Sequence, residues 1–180
     1  MLFALYVAAV AVTAPSNHCH LSATDRDANR KLSFRDFDQL GTLPSTARAL
    51  AGRGCYPEAV EANIDYLLHG PDLIDYERNV VRFHTGQYLA DSGKEREAAL
   101  LIASTRRGTD PGRPNFDWDA YVIGTYAFLT KDSQLLDEMI QRLSAKADTG
   151  SEMNAKVLQR FRRCFNQPYR IAYGTDTRCD

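Results

Sequence analysis

The chain has 180 residues, 44% of them hydrophobic and 25% charged, which suffices for one domain with a real core and excludes a disordered chain as the default. Its formal net charge of -1 argues against holding a polyanion or a membrane surface by bulk charge, although most of the cations are arginine.

Residues 1–14, MLFALYVAAVAVTA, form an apolar run as long as a signal-peptide core and too short for a membrane span, closing on the small residues Val12, Thr13 and Ala14. The run reads as an export signal, with a buried N-terminal helix as the alternative. Four cysteines agree with export, because an oxidising compartment lets them pair. Cys19, Cys55, Cys164 and Cys179 allow three connectivities. The expected one is local: Cys19 with Cys55 and Cys164 with Cys179, each tying one end of the chain to the body. Each closure would stabilise by about 3–4 kcal/mol in the chain-entropy picture. The chain thus divides into residues 1–14, a disulfide-tied segment 15–42, and a helical domain 43–180 with a disulfide-closed tail.

After a polar segment from Ser16 to about Lys31, helical periodicity dominates and the fold class reads as all-α. Pro44, Ser45 and Thr46 start a first helix through Leu50, stopped by Gly52 and Gly54. Tyr56 and Pro57 open a second, with Val60, Ile64, Leu67 and Leu68 on one side, ending at Gly70 and Pro71. Asp72 is the expected N-cap of a third, which carries Tyr76, Val80, Phe83 and Tyr88 and ends before Gly93. A fourth runs from Lys94 to Gly108, with Ala98, Leu101, Ile102 and Thr105 inward. Thr109 to Asn115, TDPGRPN, is the clearest loop. Trp118 to Leu129 forms a fifth helix, Leu135 to Leu143 marks a sixth, and Met153 to Phe165 a seventh. Short turns between them point to a stack of hairpins.

Spacing supports the stack. Gly54 and Gly93 are 39 residues apart, and each precedes an alanine five positions later, Ala59 and Ala98. Ala47, Gly86 and Gly124 are small residues inside the three leading helices, spaced 39 and 38. A small side chain lets two helices approach closely. On Ala47, Gly54, Tyr56, Ala59 and Pro71 in the first unit, and Gly86, Gly93 and Ala98 in the second, residues 43–147 resemble the tetratricopeptide (TPR) family. The third unit keeps Gly124 and the aromatic Trp118, but Lys131 and Leu136 replace the turn glycine and the packing alanine. The resemblance implies a TPR-like α-α superhelix of about three hairpins plus a C-terminal capping helix. It also implies a groove formed by the leading helices, with Arg48, Val80, Phe83, Gln87, Asp91, Trp118, Tyr121 and Thr125 inward. Of these, Arg48, Phe83, Gln87, Asp91, Trp118 and Tyr121 are the candidate binding residues. The stretches GTYAFL, Gly124 to Leu129, and RCFNQPY, in the tail, are similar to exported proteins of Gram-negative bacteria, which implies a periplasmic or secreted location and says nothing of activity.

No motif carries diagnostic chemistry: GxSxG, HExxH, the P-loop and the dinucleotide glycine fingerprint do not occur. His18, Cys19 and His20 are adjacent, but no further ligands stand at a metal-site spacing, so neither metal nor cofactor is expected. His69 and His84 read as structural. Arg160, Phe161, Arg162, Arg163, Tyr169 and Arg170 interleave cations with aromatics, as nucleic-acid binders do. Export favours the plainer reading of a final amphipathic helix that covers the stack. The expected role, by analogy of fold, is a non-enzymatic module that binds a protein or peptide partner, with no nucleic acid and no membrane span after signal removal. A periplasmic immunity or inhibitor protein is the runner-up. An enzyme acting on envelope polymers is the reading from a different class, and a cleft holding His84 within hydrogen-bond reach of a carboxylate would favour it.

Overall fold

Three turns in this chain are built alike. Cys55 N–H donates to Leu50 O at 3.0 Å, Lys94 N–H to Leu89 O at 2.9 Å and Asp132 N–H to Ala127 O at 2.8 Å. Each bond closes a helix over a residue of positive φ, namely Gly54 at 80°, Gly93 at 84° and Lys131 at 60°. This is the Schellman end, which satisfies the last carbonyls of a helix by letting one residue turn left-handed. Glycine does so without a Cβ clash; lysine does so at a cost. The third unit therefore keeps the turn whose glycine it lacks.

The computed structural model describes residues 17–108, 116–174 and 179. The expected export segment 1–14 and the loop 109–115 lie outside the described residues. Among those described, the chain is helical without strands, so the fold is all-α. The α-helices are α1 Ala23–Asn29, α2 Ala47–Gly52, α3 Tyr56–His69, α4 Asp75–Asp91, α5 Glu95–Ala103, α6 Trp118–Leu129, α7 Ser133–Ser144, α8 Thr149–Arg163 and α9 Tyr169–Tyr173. A 3-10 turn, Asn17–Cys19, precedes α1, and a π-helical turn, Arg35–Leu40, precedes α2. Helices α2 and α3, α4 and α5, and α6 and α7 pair as successive hairpins; α3 packs on α4 and α5 on α6, while α8 covers α6 and α7.

Side-chain caps start most of these helices. Thr46, Asp117, Asp132 and Asp148 accept from the backbone N–H groups of Ala49, Ala120, Leu135 and Ser151. Each satisfies a donor that the first turn leaves without a partner. Asp72 is not the N-cap of α4: the helix opens at Ile74, whose N–H donates to Glu77 at 3.3 Å. Helix α5 ends at Ala103 and not near Gly108, since the hydroxyls of Ser104 and Thr105 turn back to Leu101 O and Ile102 O.

The small residues inside the leading helices lie at packing contacts. A Cβ on Gly86 would stand 2.5 Å from Ile102 Cγ1 of α5, and one on Gly124 would stand 2.3 Å from Leu158 Cδ1 of α8. Ala47 is buried. One cluster of buried residues joins the N-terminal segment, α2 and α3; a larger one fills the space from α4 to α9. In the first, Phe37 stacks on Tyr66 with ring centroids 3.8 Å apart, and Tyr66 Oη donates to Leu32 O. The Arg30 guanidinium holds Asp65 through two bonds of 2.9 and 2.6 Å, tying α1 to α3. Its pairing keeps the Asp65 carboxyl below the usual carboxylate range.

Both local cysteine pairs are bonded. Cα atoms are 5.3 Å apart at Cys19–Cys55 and 4.9 Å apart at Cys164–Cys179, and the described residues contain no free cysteine. No helix among the described residues is long and apolar enough to cross a membrane.

The side chain of Lys131 explains its place in a left-handed turn. Its Nζ donates to Phe165 O at 3.0 Å and Gln167 O at 3.2 Å, and lies 4.1 Å from the centre of the Phe128 ring. Lys131→Gly and Lys131→Ala both lose those contacts, but only glycine relaxes the backbone. Urea denaturation is expected to find the glycine variant more stable than the alanine variant by about 1 kcal/mol.

A candidate ligand cleft between α2, α4 and α9

Helix α9 is short, and tertiary contacts decide where it lies. Tyr169 N–H donates to Glu95 Oε1 of α5 at 2.6 Å, and Gln87 Nε2 of α4 donates to Tyr169 Oη at 3.0 Å. Arg160 of α8 donates to Ala172 O at 2.9 Å and to Tyr173 O, binding the carbonyl end of α9. The ring of Tyr169 packs within the aromatic group of Phe128, Phe161 and Tyr173. So the tail lies across α4, over the middle of the groove that the resemblance implies.

This placement divides the candidate binding residues. Phe83, Trp118 and Tyr121 are 1%, 7% and 6% exposed and pack ring against ring, with Phe83 5.1 Å from Trp118 and 5.3 Å from Tyr121. Trp118 Nε1 donates to Thr105 O at 2.9 Å. Those three belong to the core and present no ligand surface, which corrects the expectation of an open groove there. Gln87 is buried with its amide on Tyr169. Arg48 and Asp91 remain accessible, and both line a cleft of about 360 Å³.

The cleft has α2 on one side, α4 as its floor and α9 on the other side. Arg48 and Arg170 are exposed cations from opposite walls, and Tyr56, Tyr88 and Tyr173 are half-buried aromatics between them. Arg170 reaches over the Tyr56 ring at 5.4 Å. Arg48 Nε donates to the backbone oxygen of Asp38, which steadies the guanidinium at the rim. The Asp38 carboxylate is 3% exposed and accepts from His84 Nδ1 at 2.7 Å and from Gln39 Nε2. An ionised carboxylate has no proton to give, so Nδ1 is the donor, and Nε2 of His84 is the nitrogen without that bond.

Asp91 makes no hydrogen bond or ion pair to the described residues. Burial pushes its carboxyl up to about 6, opposed in part by the nearby Arg170 cation. Helical spacing places His84, Gln87, Tyr88 and Asp91 along one face of α4. The described lining contains no serine, threonine or cysteine. It is therefore a surface of two cations, three phenol rings and a desolvated acid, suited to gripping an anionic group against aromatic walls.

The other expected features fall elsewhere. Atoms of His18, Cys19 and Cys55 approach within 4.8 Å of one another, but both sulfurs are spent in the disulfide. Arg162 pairs with Asp137 at 2.8 Å. Missed by sequence reading were Arg170, as a cleft residue, and the Asp38–His84 pair, whose partners are 46 residues apart. Comparison with protein-family models, curated proteins and solved structures finds no match to this chain.

The raised pKa of Asp91 sets a pH dependence. Its value in the fold, about 6, lies above the unfolded reference of 3.8, so the native state holds more protons between those values. Its contribution to stability is therefore present at low pH and is lost as pH rises from about 4 to 6. Asp91→Asn removes the loss. Thermal or urea unfolding is expected to show the variant equal to the parent near pH 4 and more stable by about 1–3 kcal/mol near pH 8.

Proposed function

We propose that this chain is a non-enzymatic binding module of an oxidising compartment, and that its ligand surface is the cleft between α2, α4 and α9. The ligand is a short peptide segment or protein loop that carries a carboxylate. One observation carries the reading: exposed Arg48 and Arg170 stand on opposite walls of a cleft lined by Tyr56, Tyr88 and Tyr173. Guanidinium groups grip carboxylates bidentately, and tyrosines give contact area at low entropic cost. Export as a periplasmic or secreted protein rests on the apolar run 1–14 and on the two disulfides. The TPR-like reading of the fold rests on the small-residue spacing and on the three matching turns.

Affinity capture from envelope extract, read by quantitative mass spectrometry, tests the reading. Arg48→Glu with Arg170→Glu is expected to lower partner recovery at least about tenfold, in line with hot-spot arginines. The variant's thermal unfolding serves as the check that it is folded. Recovery equal to the parent's removes the cleft from the proposal.

A second reading, that of an enzyme, is favoured by the pairing of His84 with buried Asp38 at the edge of the cleft. A carboxylate on Nδ1 orients an imidazole so that Nε2 serves as a base. Turnover of envelope glycan or peptide substrates by the purified protein, lost at least about a hundredfold in His84→Gln, supports this reading. Absence of turnover, or turnover that His84→Gln leaves intact, ends it.

A further inference from the structure

Helix α3 carries two faces that sequence patterning does not separate. Its buried side is Ala59, Ala62, Asn63 and Tyr66; beside it runs an apolar stripe of Val60, Ile64, Leu67 and Leu68, of which Leu67 packs in part against the core. Ile64 is 46% exposed and Leu68 70%. The stripe forms one wall of an apolar groove of about 530 Å³, with Leu101 of α5 in the opposite wall. The floor is α4, on a different face from the cleft described above, and supplies the groove's charged groups, Arg78 and Arg82. Both guanidiniums are held by neutral acceptors: Arg78 Nη2 donates to Leu73 O at 3.0 Å, and Arg82 Nη2 to Ser104 Oγ at 2.8 Å. Neither has an ion-pair partner among the described residues.

We infer that this groove docks an amphipathic helix of a partner protein, with apolar residues along its inner stripe and acidic residues beside them. Three observations select that occupant. Leu68 follows Ile64 by one turn of α3 and is 70% exposed, so the apolar stripe outruns the groove along the helix axis. No sheet edge exists among the described residues to accept a strand, and no aromatic side chain lines the groove to receive a polyproline segment. The spacing 60, 64, 67 matches the i, i+4, i+7 register with which helices seat side chains in one another. Arg78 and Arg82, one turn apart, then meet the acidic flank and set its orientation.

The test uses two synthetic helical peptides of about 18 residues, a length at which helicity is sustained. Both carry leucine at i, i+4, i+7 and i+11; one is flanked by glutamate and the other by lysine. Fluorescence anisotropy is expected to show the glutamate peptide binding the full chain at least about tenfold tighter than the lysine peptide. Arg78→Glu with Arg82→Glu is expected to reverse that preference. Ile64→Asp, or Val60→Asp should the first fail to fold by circular dichroism, weakens both peptides at least about tenfold. Retained binding in Arg48→Glu with Arg170→Glu separates this groove from the cleft. Equal affinity for the two peptides, an unreversed preference, or insensitivity to Ile64→Asp overturns the inference. So does concentration-dependent self-association that Ile64→Asp abolishes, which would make a second copy of the chain the occupant.

Discussion

Close approach of helices at small residues is the constraint on which this structure rests. A hairpin of two helices buries one face and leaves another bare, so each layer depends on the next. Gly86 brings α4 within reach of Ile102, and Gly124 brings α6 within reach of Leu158. The second contact crosses to α8 and not to the hairpin partner α7. Helix α8 thus occupies the place where a further layer would stack, and its aromatic and arginine side chains finish the array. The repeated turns at Gly54, Gly93 and Lys131 then send each trailing helix back along its leader.

Covering the last layer has a consequence at the other end of the molecule. The tail that follows α8 returns across α4, and Tyr169 takes the central position in the groove that a bare array would offer. What remains open is the margin between α9 and α2. There the polar side chains that the core does not use, Arg48, His84, Asp91 and Arg170, collect around three tyrosines. The cleft is thus a product of capping: it lies where α9 and Gly174 come beside α2.

The sequence made some of this plain. Gly54 and Gly93 marked their turns because a left-handed residue is chemically conspicuous when it is glycine. Lys131 hid the third turn, since its backbone is held by tail contacts that no local pattern encodes. Helix α1 was legible and overlooked: Ser22 and Asp25 form a reciprocal cap, the Ser-x-x-acid signature of a helix start. The facing of α3 was legible only at Ala59, through its repeat position, because Ala62 and Asn63 look less like a core than Ile64 does. They face inward where α3 packs between α2 and α4. Within the site, Arg48 and Asp91 followed from repeat position. His84 with Asp38, and Arg170, follow from long-range packing, which periodicity cannot report.

Helix α6 has a surface unlike the others. Residues Trp118, Ala120, Tyr121, Val122, Gly124, Thr125, Ala127, Phe128 and Leu129 are all buried, so it is enclosed on nearly every side by α5, α7 and α8. A nascent chain delivers it before α7 and α8 exist. For that interval a segment greasy all round has only half of its shelter, and it is prone to stick to other chains. A protein arranged in this order benefits from being kept unfolded until its C-terminus has been made.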